Sequence, residues 1–257
     1  MISMAAAFIG LTALTACNPL GNYPNPKNFQ GFIEQSFTRV SHSPDANGLK
    51  SEWEGGEYIS IMSAAPDAPD DIYENIASYM ALESGVVVNF YCMDEHEPVA
   101  PFKAFYPAEI AFGELPSFQE YAPDGPADAP MMAKSPTKYM MFRPICGAIE
   151  FKISTTLKDA VARYIKFRTD QSLCGGFIVD DSLKATALGD KHITLDCKSS
   201  GVALSGEPKS FWFSVPENSY TNAEITLILK DGRQETIKPS DSPIEVKRAK
   251  ITTIELN

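Results

Sequence analysis

The feature that most constrains this chain is a two-residue hydrophobic period across its second half. In Ala148-Ile149-Glu150-Phe151-Lys152-Ile153-Ser154, the apolar Ile149, Phe151 and Ile153 fall on one side and Glu150 and Lys152 on the other. A strand points successive side chains to opposite faces, so this pattern reads as a half-buried strand. The alternation returns at His192–Cys197, Phe211–Val215, Glu224–Leu229 and Lys250–Leu256. Asp231-Gly232 marks a tight hairpin, and Glu235–Lys238 is its returning strand. Short strands separated by turn residues, rich in β-branched and aromatic side chains, predict an all-β protein built as a sandwich.

The first half is less regular. Glu57–Met62 and Gly85–Cys92 read as strands. Ile72, Ile76 and Met80 recur every four residues, which suits a short helix over Asp71–Ala81 or a strand over part of it. Prolines 107, 116, 123, 126 and 130 punctuate a long irregular stretch. The change to regular alternation near Lys138–Arg143 is the expected domain boundary. A length of 257 residues suits one large domain or two small ones, and 44% hydrophobic with 21% charged residues is a globular balance.

Charge excludes one class of partner. The formal net charge is −11, and an acidic surface repels phosphate backbones, so no nucleic acid is expected. His42, His96 and His192 are too scattered for a histidine-rich metal centre. The chain shows no Gly-x-Ser-x-Gly elbow, no His-Glu-x-x-His and no glycine-rich phosphate loop. Asp94-Glu95-His96-Glu97 reads as a solvated hairpin loop rather than a chelator, because neighbours in an extended chain point apart. Asp45-Ala46-Asn47-Gly48 and Asp180-Asp181 read as turns. No enzyme, cofactor or metal is therefore expected. Trp212, between Phe211 and Phe213, reads as core, whereas Trp53, Tyr58 and Tyr121 are candidates for an aromatic platform binding a glycan or host protein.

At the N-terminus an apolar run, Ala5–Ala13, precedes Leu14-Thr15-Ala16-Cys17. It is too short to span a bilayer and has the form of a signal-peptide core. Leu, two small residues and Cys resemble the lipobox of bacterial lipoproteins, although residues 1–16 carry no charge. That resemblance implies removal of residues 1–16 and acylation of the Cys17 thiol, which would hold the protein at the outer membrane. The other four cysteines, Cys92, Cys146, Cys174 and Cys197, permit two disulfides or four buried thiols, and they contain no Cys-x-x-Cys pair.

Taken in order, the landmarks resemble the fimbrillin family, the lipoprotein subunits of type V pili. They are Cys17, Thr38-Arg39-Val40, Trp53-Glu54-Gly55-Gly56-Glu57-Tyr58-Ile59, Phe105-Tyr106-Pro107, Leu115-Pro116 with Gln119, Pro130-Met131-Met132-Ala133, and Phe142-Arg143-Pro144-Ile145-Cys146-Gly147. Trp212, Val215-Pro216 and Asp231-Gly232 follow near the end. Gly56-Glu57 stands where the family more often has Gly-Asp, and Arg143-Pro144 where it more often has another polar pair. The resemblance implies two transthyretin-like β-sandwich domains in tandem after a lipoprotein signal peptide, at 1–16, 17–141 and 142–257. The stretch from Leu115 to Ala133 would be the linker before the second domain. It also implies assembly with other pilus subunits by strand addition, after possible proteolysis at Arg39 removes the first strand. The final strand, with Ile251, Thr253, Ile254 and Leu256, would then be the candidate donor strand, or else pair within its own domain.

Overall fold

In the computed structural model the described residues are 29–34, 43–45, 48–50, 52–64, 76–95, 97–127, 129–239 and 241–256, with 43–45 and 48–50 described as backbone only. The fold is all-β. The one helical element among the described residues is a 3₁₀ turn, Ala108–Phe112.

Seven strands close on themselves as a barrel. Their order is Phe29–Ile33, Tyr139–Pro144, Met131–Ser135, Phe102–Tyr106, Tyr58–Ser63, Ile76–Ala81 and Val87–Cys92, which returns to Phe29–Ile33. Closure removes the free edges that an open sheet would expose. Inside lie Phe29, Trp53, Ile59, Ile61, Tyr79, Phe90, Phe142 and smaller apolar residues, all fully buried. The alternative at 71–81 resolves as a strand for Ile76–Ala81, with Ala77, Tyr79 and Ala81 inward and Ile76 and Met80 half-buried outside. A four-residue spacing keeps one face in a strand as well as in a helix, so the apolar spacing could not decide between them. Residues 71–75 lie outside the described set.

The remaining strands form stacked sheets around a second core. Gly147–Ile153 lies between Lys209–Val215, antiparallel, and Ile251–Leu256, parallel. A second sheet orders Gln234–Ile237, Glu224–Leu229, Val161–Arg168, His192–Asp196 and Phe118–Glu120. Phe167 of this sheet packs against Phe151 and Phe213 of the first, with ring centroids 5.3 and 5.7 Å apart. The expected strands at 148–154, 192–197, 211–215, 224–229 and 250–256 are present to within two residues at each end. At the Asp231-Gly232 hairpin, Gly232 takes a positive φ of 88°, which glycine adopts without strain.

Three expectations are corrected. The stretch from Leu115 to Ala133 is no linker, and the chain before it, from Pro107, belongs to the same excursion. It leaves the barrel after Phe102–Tyr106 and pairs with the second strand group. Glu114 and Leu115 pair with Gly176 and Gly175, and Phe118–Glu120 runs parallel to Thr194–Asp196. The chain then re-enters the barrel at Met131–Ser135, so Met131-Met132-Ala133 is barrel strand. A division between 141 and 142 would cut the strand Tyr139–Pro144, in which Phe142 pairs with Ile33 and Arg143 with Met132. Phe105 and Met132, on the outer faces of their strands, belong to the second core, so the two strand groups share an apolar contact.

Glu150 is the third correction. Its alternation placed it in solvent, yet it is only 8% exposed. It accepts hydrogen bonds from Ser210 Oγ at 2.7 Å and Thr253 Oγ1 at 2.8 Å. On the same sheet, Trp212 is covered and its indole N–H donates to the Pro123 carbonyl at 3.2 Å.

Gln119 ties the returning stretch down. Its amide donates to the Ser214 carbonyl at 2.8 Å and accepts from the Ser214 N–H at 2.9 Å, both in the buried interior. The side chain thus pairs the outer edge of Lys209–Val215 as another strand would. Gln119→Ala leaves two buried backbone groups without partners, at ~1–3 kcal/mol each. We expect it to destabilise the protein by about 3 kcal/mol in urea unfolding; a loss under ~0.5 kcal/mol would show that the clamp is dispensable.

Candidate functional site

The site best defined by geometry is the slot of the first strand. Phe29–Ile33 lies antiparallel to Val87–Cys92 and parallel to Tyr139–Pro144, with Phe29 opposite Phe90 and Ile33 opposite Phe142. Its ends are tied by Gln30 N–H to the Lys138 carbonyl at 2.9 Å and Glu34 N–H to the Phe142 carbonyl at 2.8 Å. Burial alternates, with Phe29, Gly31 and Ile33 inward and Gln30 and Phe32 half-buried outward. The Phe29 ring meets Tyr79 and Phe102 edge-on, at 5.0 and 4.7 Å.

Charged groups pin the strand at both ends. Lys138 lies over the Phe29 ring at 5.4 Å and pairs with Glu97. Glu34 lies between Arg143 Nε at 3.7 Å and Arg248 Nη1 at 3.8 Å. These are partly exposed pairs that contribute about 1 kcal/mol or less each. Apolar burial holds the strand more strongly, since withdrawing it would bare the aromatic interior and leave two unpaired strand edges.

The expected site residues fall in different places. Cys17 and Arg39 lie outside the described residues; Arg39 is five residues beyond Glu34 in sequence (39 − 34). The final strand Ile251–Leu256 is the outer strand of its sheet and pairs along its whole length with Ala148–Ile153. Ile254 and Leu256 face the second core, whereas Ile251 packs near Ala148 and Thr253 bonds Glu150. The four donor-strand candidates therefore divide between two faces.

The aromatic platform does not assemble. Trp53 is 0% exposed, its ring surrounded edge-on by Phe90, Tyr106 and Phe142 at 4.9–5.2 Å, so it offers no face to a ligand. Tyr58 is exposed on a barrel strand, and Tyr121 packs against Phe211 of the second core at 5.4 Å. Sequence reasoning missed a shallow hollow of about 310 Å³ lined by Gln30, Asn89, Lys138 and Tyr139. These residues are brought together only by the pairing of three strands far apart in sequence.

Two of the polar clusters bond backbone N–H groups, Asp94 across to a neighbouring strand and Asp180 within its own turn, while residues 46, 47 and 96 of the candidate loops lie outside the described residues. Asp94 accepts the Ser78 N–H at 2.5 Å, and Asp180 accepts from the Ser182 N–H and hydroxyl and the Lys184 N–H. The Ser182 hydroxyl and these N–H groups hold the Asp180 carboxyl below its usual range. Among the described residues, no three His, Cys, Asp or Glu side chains could hold a metal ion. Cys92, Cys146, Cys174 and Cys197 are all free thiols, the last three buried. Cys146 sits at the bend between two strands rather than in one, and burial pushes its thiol up to about 12.

No family model and no curated protein matches this chain. Among solved structures it is similar to a putative cell adhesion protein from Bacteroides ovatus, with 15% identity, 88% of this chain and 90% of that chain covered, and a TM-score of 0.49. A putative cell adhesion protein from Bacteroides uniformis shows 16% identity, 79% and 88% coverage, and a TM-score of 0.46. A fimbrial assembly protein from Parabacteroides distasonis shows 9% identity, 90% coverage of each chain, and a TM-score of 0.37.

Proposed function

We propose that this chain is a cell-surface fimbrial subunit or accessory adhesin, organised as two β domains and anchored at the outer membrane through lipid on Cys17. It associates with other subunits by strand addition at the slot of Phe29–Ile33. The observation that carries this reading is the first strand itself. Five residues, hydrogen-bonded on both edges and alternately buried, complete a barrel from the N-terminal side of Arg39. Cutting after Arg39 would sever that strand from the rest of the chain, so that a strand of another subunit could replace it. Backbone hydrogen bonds would supply affinity, and alternate side chains would supply specificity.

The test is mild trypsin treatment of protein lacking residues 1–17, followed by N-terminal sequencing and incubation with a labelled copy of the first strand. The expected result is a new N-terminus at Val40 and uptake of label by the cut protein alone. Selective cleavage elsewhere, or a cut protein that takes up no label, would overturn strand addition. A second reading, a monomeric lipoprotein binding a glycan or host protein, is favoured by the hollow at Gln30, Asn89, Lys138 and Tyr139. Its amides suit sugar hydroxyls, and Tyr139 is 65% exposed. Glycan binding by the uncut protein that is lost in Tyr139→Ala, with its folding intact, would support that reading instead.

A further inference from the structure

The middle of the first-strand slot has no room for a side chain. A Cβ built on Gly31 would stand 2.4 Å from Cε2 and 3.1 Å from Cδ2 of Phe90, and 3.4 Å from Cε2 of Phe142. Real Cβ contacts are essentially never that short, so the Phe90 ring would have to move. It has little freedom to do so, being fully buried, edge-on to Trp53 at 4.9 Å and tilted against Phe142 at 6.1 Å. The slot thus holds large side chains at its ends, Phe29 and Ile33, and none at its centre. This gate belongs to the barrel, so any strand in the slot, running in either direction, must place one inward residue against Phe90.

The chain's own final strand does not meet that condition. Its core-facing residues are Thr252, Ile254 and Leu256, and its other face carries Ile251, Thr253 and Glu255. The strand Ile251–Leu256 contains no glycine, so no register of that strand brings one to the centre. That strand is also engaged at home, with Leu256 buried and Thr253 bonded to Glu150.

We infer that the slot selects by size at its centre. It takes a strand of the pattern large-x-Gly-x-large, the pattern of Phe29–Ile33 itself, supplied in trans by another subunit, and it rejects this chain's own C-terminal strand. The inference rests on the strand-addition reading above for its trans partner, but the gate itself can be tested without it.

In the intact full chain, Gly31→Leu should lower the melting temperature by ~5 °C or more, as overpacking of a closed core does. Adding Phe90→Ala should recover at least half of that drop, although Phe90→Ala alone destabilises. A Gly31→Leu chain as stable as the natural one, or no recovery in the double variant, overturns the gate. In the second arm, a specific protease site replaces the sequence around Arg39 in the full chain. After cutting, it meets three labelled peptides: residues 28–35, the same peptide with Gly31→Leu, and residues 249–257. We expect entry of the first and at least tenfold weaker entry of the other two. Comparable entry of all three, or ladders formed by the cut chain alone, overturns the selection. Entry of none, with the gate confirmed in the first arm, overturns strand addition and with it the trans partner.

Discussion

Trp53→Ala is expected to lower the stability of the barrel by about 4 kcal/mol, read as a shift of the urea midpoint at unchanged slope. The indole fills the barrel interior at 0% exposure and meets three rings edge-on, Phe90, Tyr106 and Phe142. Truncating a buried aromatic to alanine costs ~3–5 kcal/mol, and each edge-on ring pair contributes ~0.5–1.5 kcal/mol beyond area burial. Trp53→Phe is expected to cost much less, about 1–2 kcal/mol. It keeps a ring in place and removes an indole N–H that has no acceptor among the described residues, a group that itself costs ~1–3 kcal/mol when buried. Equal losses for the two variants would show that volume is not what Trp53 supplies. A Trp53→Ala protein that unfolds at the natural midpoint would place the residue outside the core.

Alkaline pH is expected to destabilise the fold steeply. Burial pushes the thiols of Cys146 and Cys197 up to about 12 and that of Cys174 up to about 11, from an ordinary value of 9.0. Above pH 9 the unfolded chain releases these protons first and binds fewer protons than the folded one. Stability therefore falls as pH rises through the window from 9 to 11 or 12, and it is fully present below pH 9. A single such thiol changes stability by about 1.4 kcal/mol per pH unit well inside that window, so Cys146 alone destabilises the fold by roughly 2 kcal/mol between pH 9 and pH 11. Burial likewise raises Tyr79 and Tyr220, which adds the same sign above pH 10. Lys103 works the other way: burial, then repulsion from Lys134, lowers its pKa, so its contribution rises with pH up to 10.5. Urea midpoints at pH 8, 9, 10 and 11 measure the slope, and Cys146→Ala should flatten it by about one proton. A slope no steeper than that of Cys146→Ala would contradict the burial of this thiol as the cause.

Local pattern was most legible where one face of a strand is buried and the other is wet. His192–Asp196 and Glu224–Leu229 satisfy that condition, and their alternation reads directly as strand. It failed where both faces are covered. Glu150 alternates like a solvent-facing residue, but the returning stretch with Pro123 and Gln119 covers that sheet, and two hydroxyls satisfy the carboxylate. Phe105 and Met132 lie between two cores for the same reason, so their strands carry no clean period. Trp53, flanked by Glu52 and Glu54, shows a polar neighbourhood in sequence and a fully apolar one in space. The candidate slot was legible only in part. The hydrophobic landmarks and Arg39 stood out, but the size limit at Gly31 did not, because nothing local distinguishes it from a turn glycine.

The sequence by itself determined the all-β class, the positions of most strands in the second half and the Asp231-Gly232 hairpin. Each depends on a period of two or on the conformational freedom of one glycine, and both are local properties. Only the tertiary structure decided that Phe29–Ile33 closes a barrel between Val87–Cys92 and Tyr139–Pro144. It likewise decided that 107–130 crosses to the second strand group and that Phe90 stands against Gly31. Strand pairing joins residues more than a hundred positions apart by backbone groups that every residue carries. The partner is therefore chosen by how the whole set of faces packs, not by any one segment.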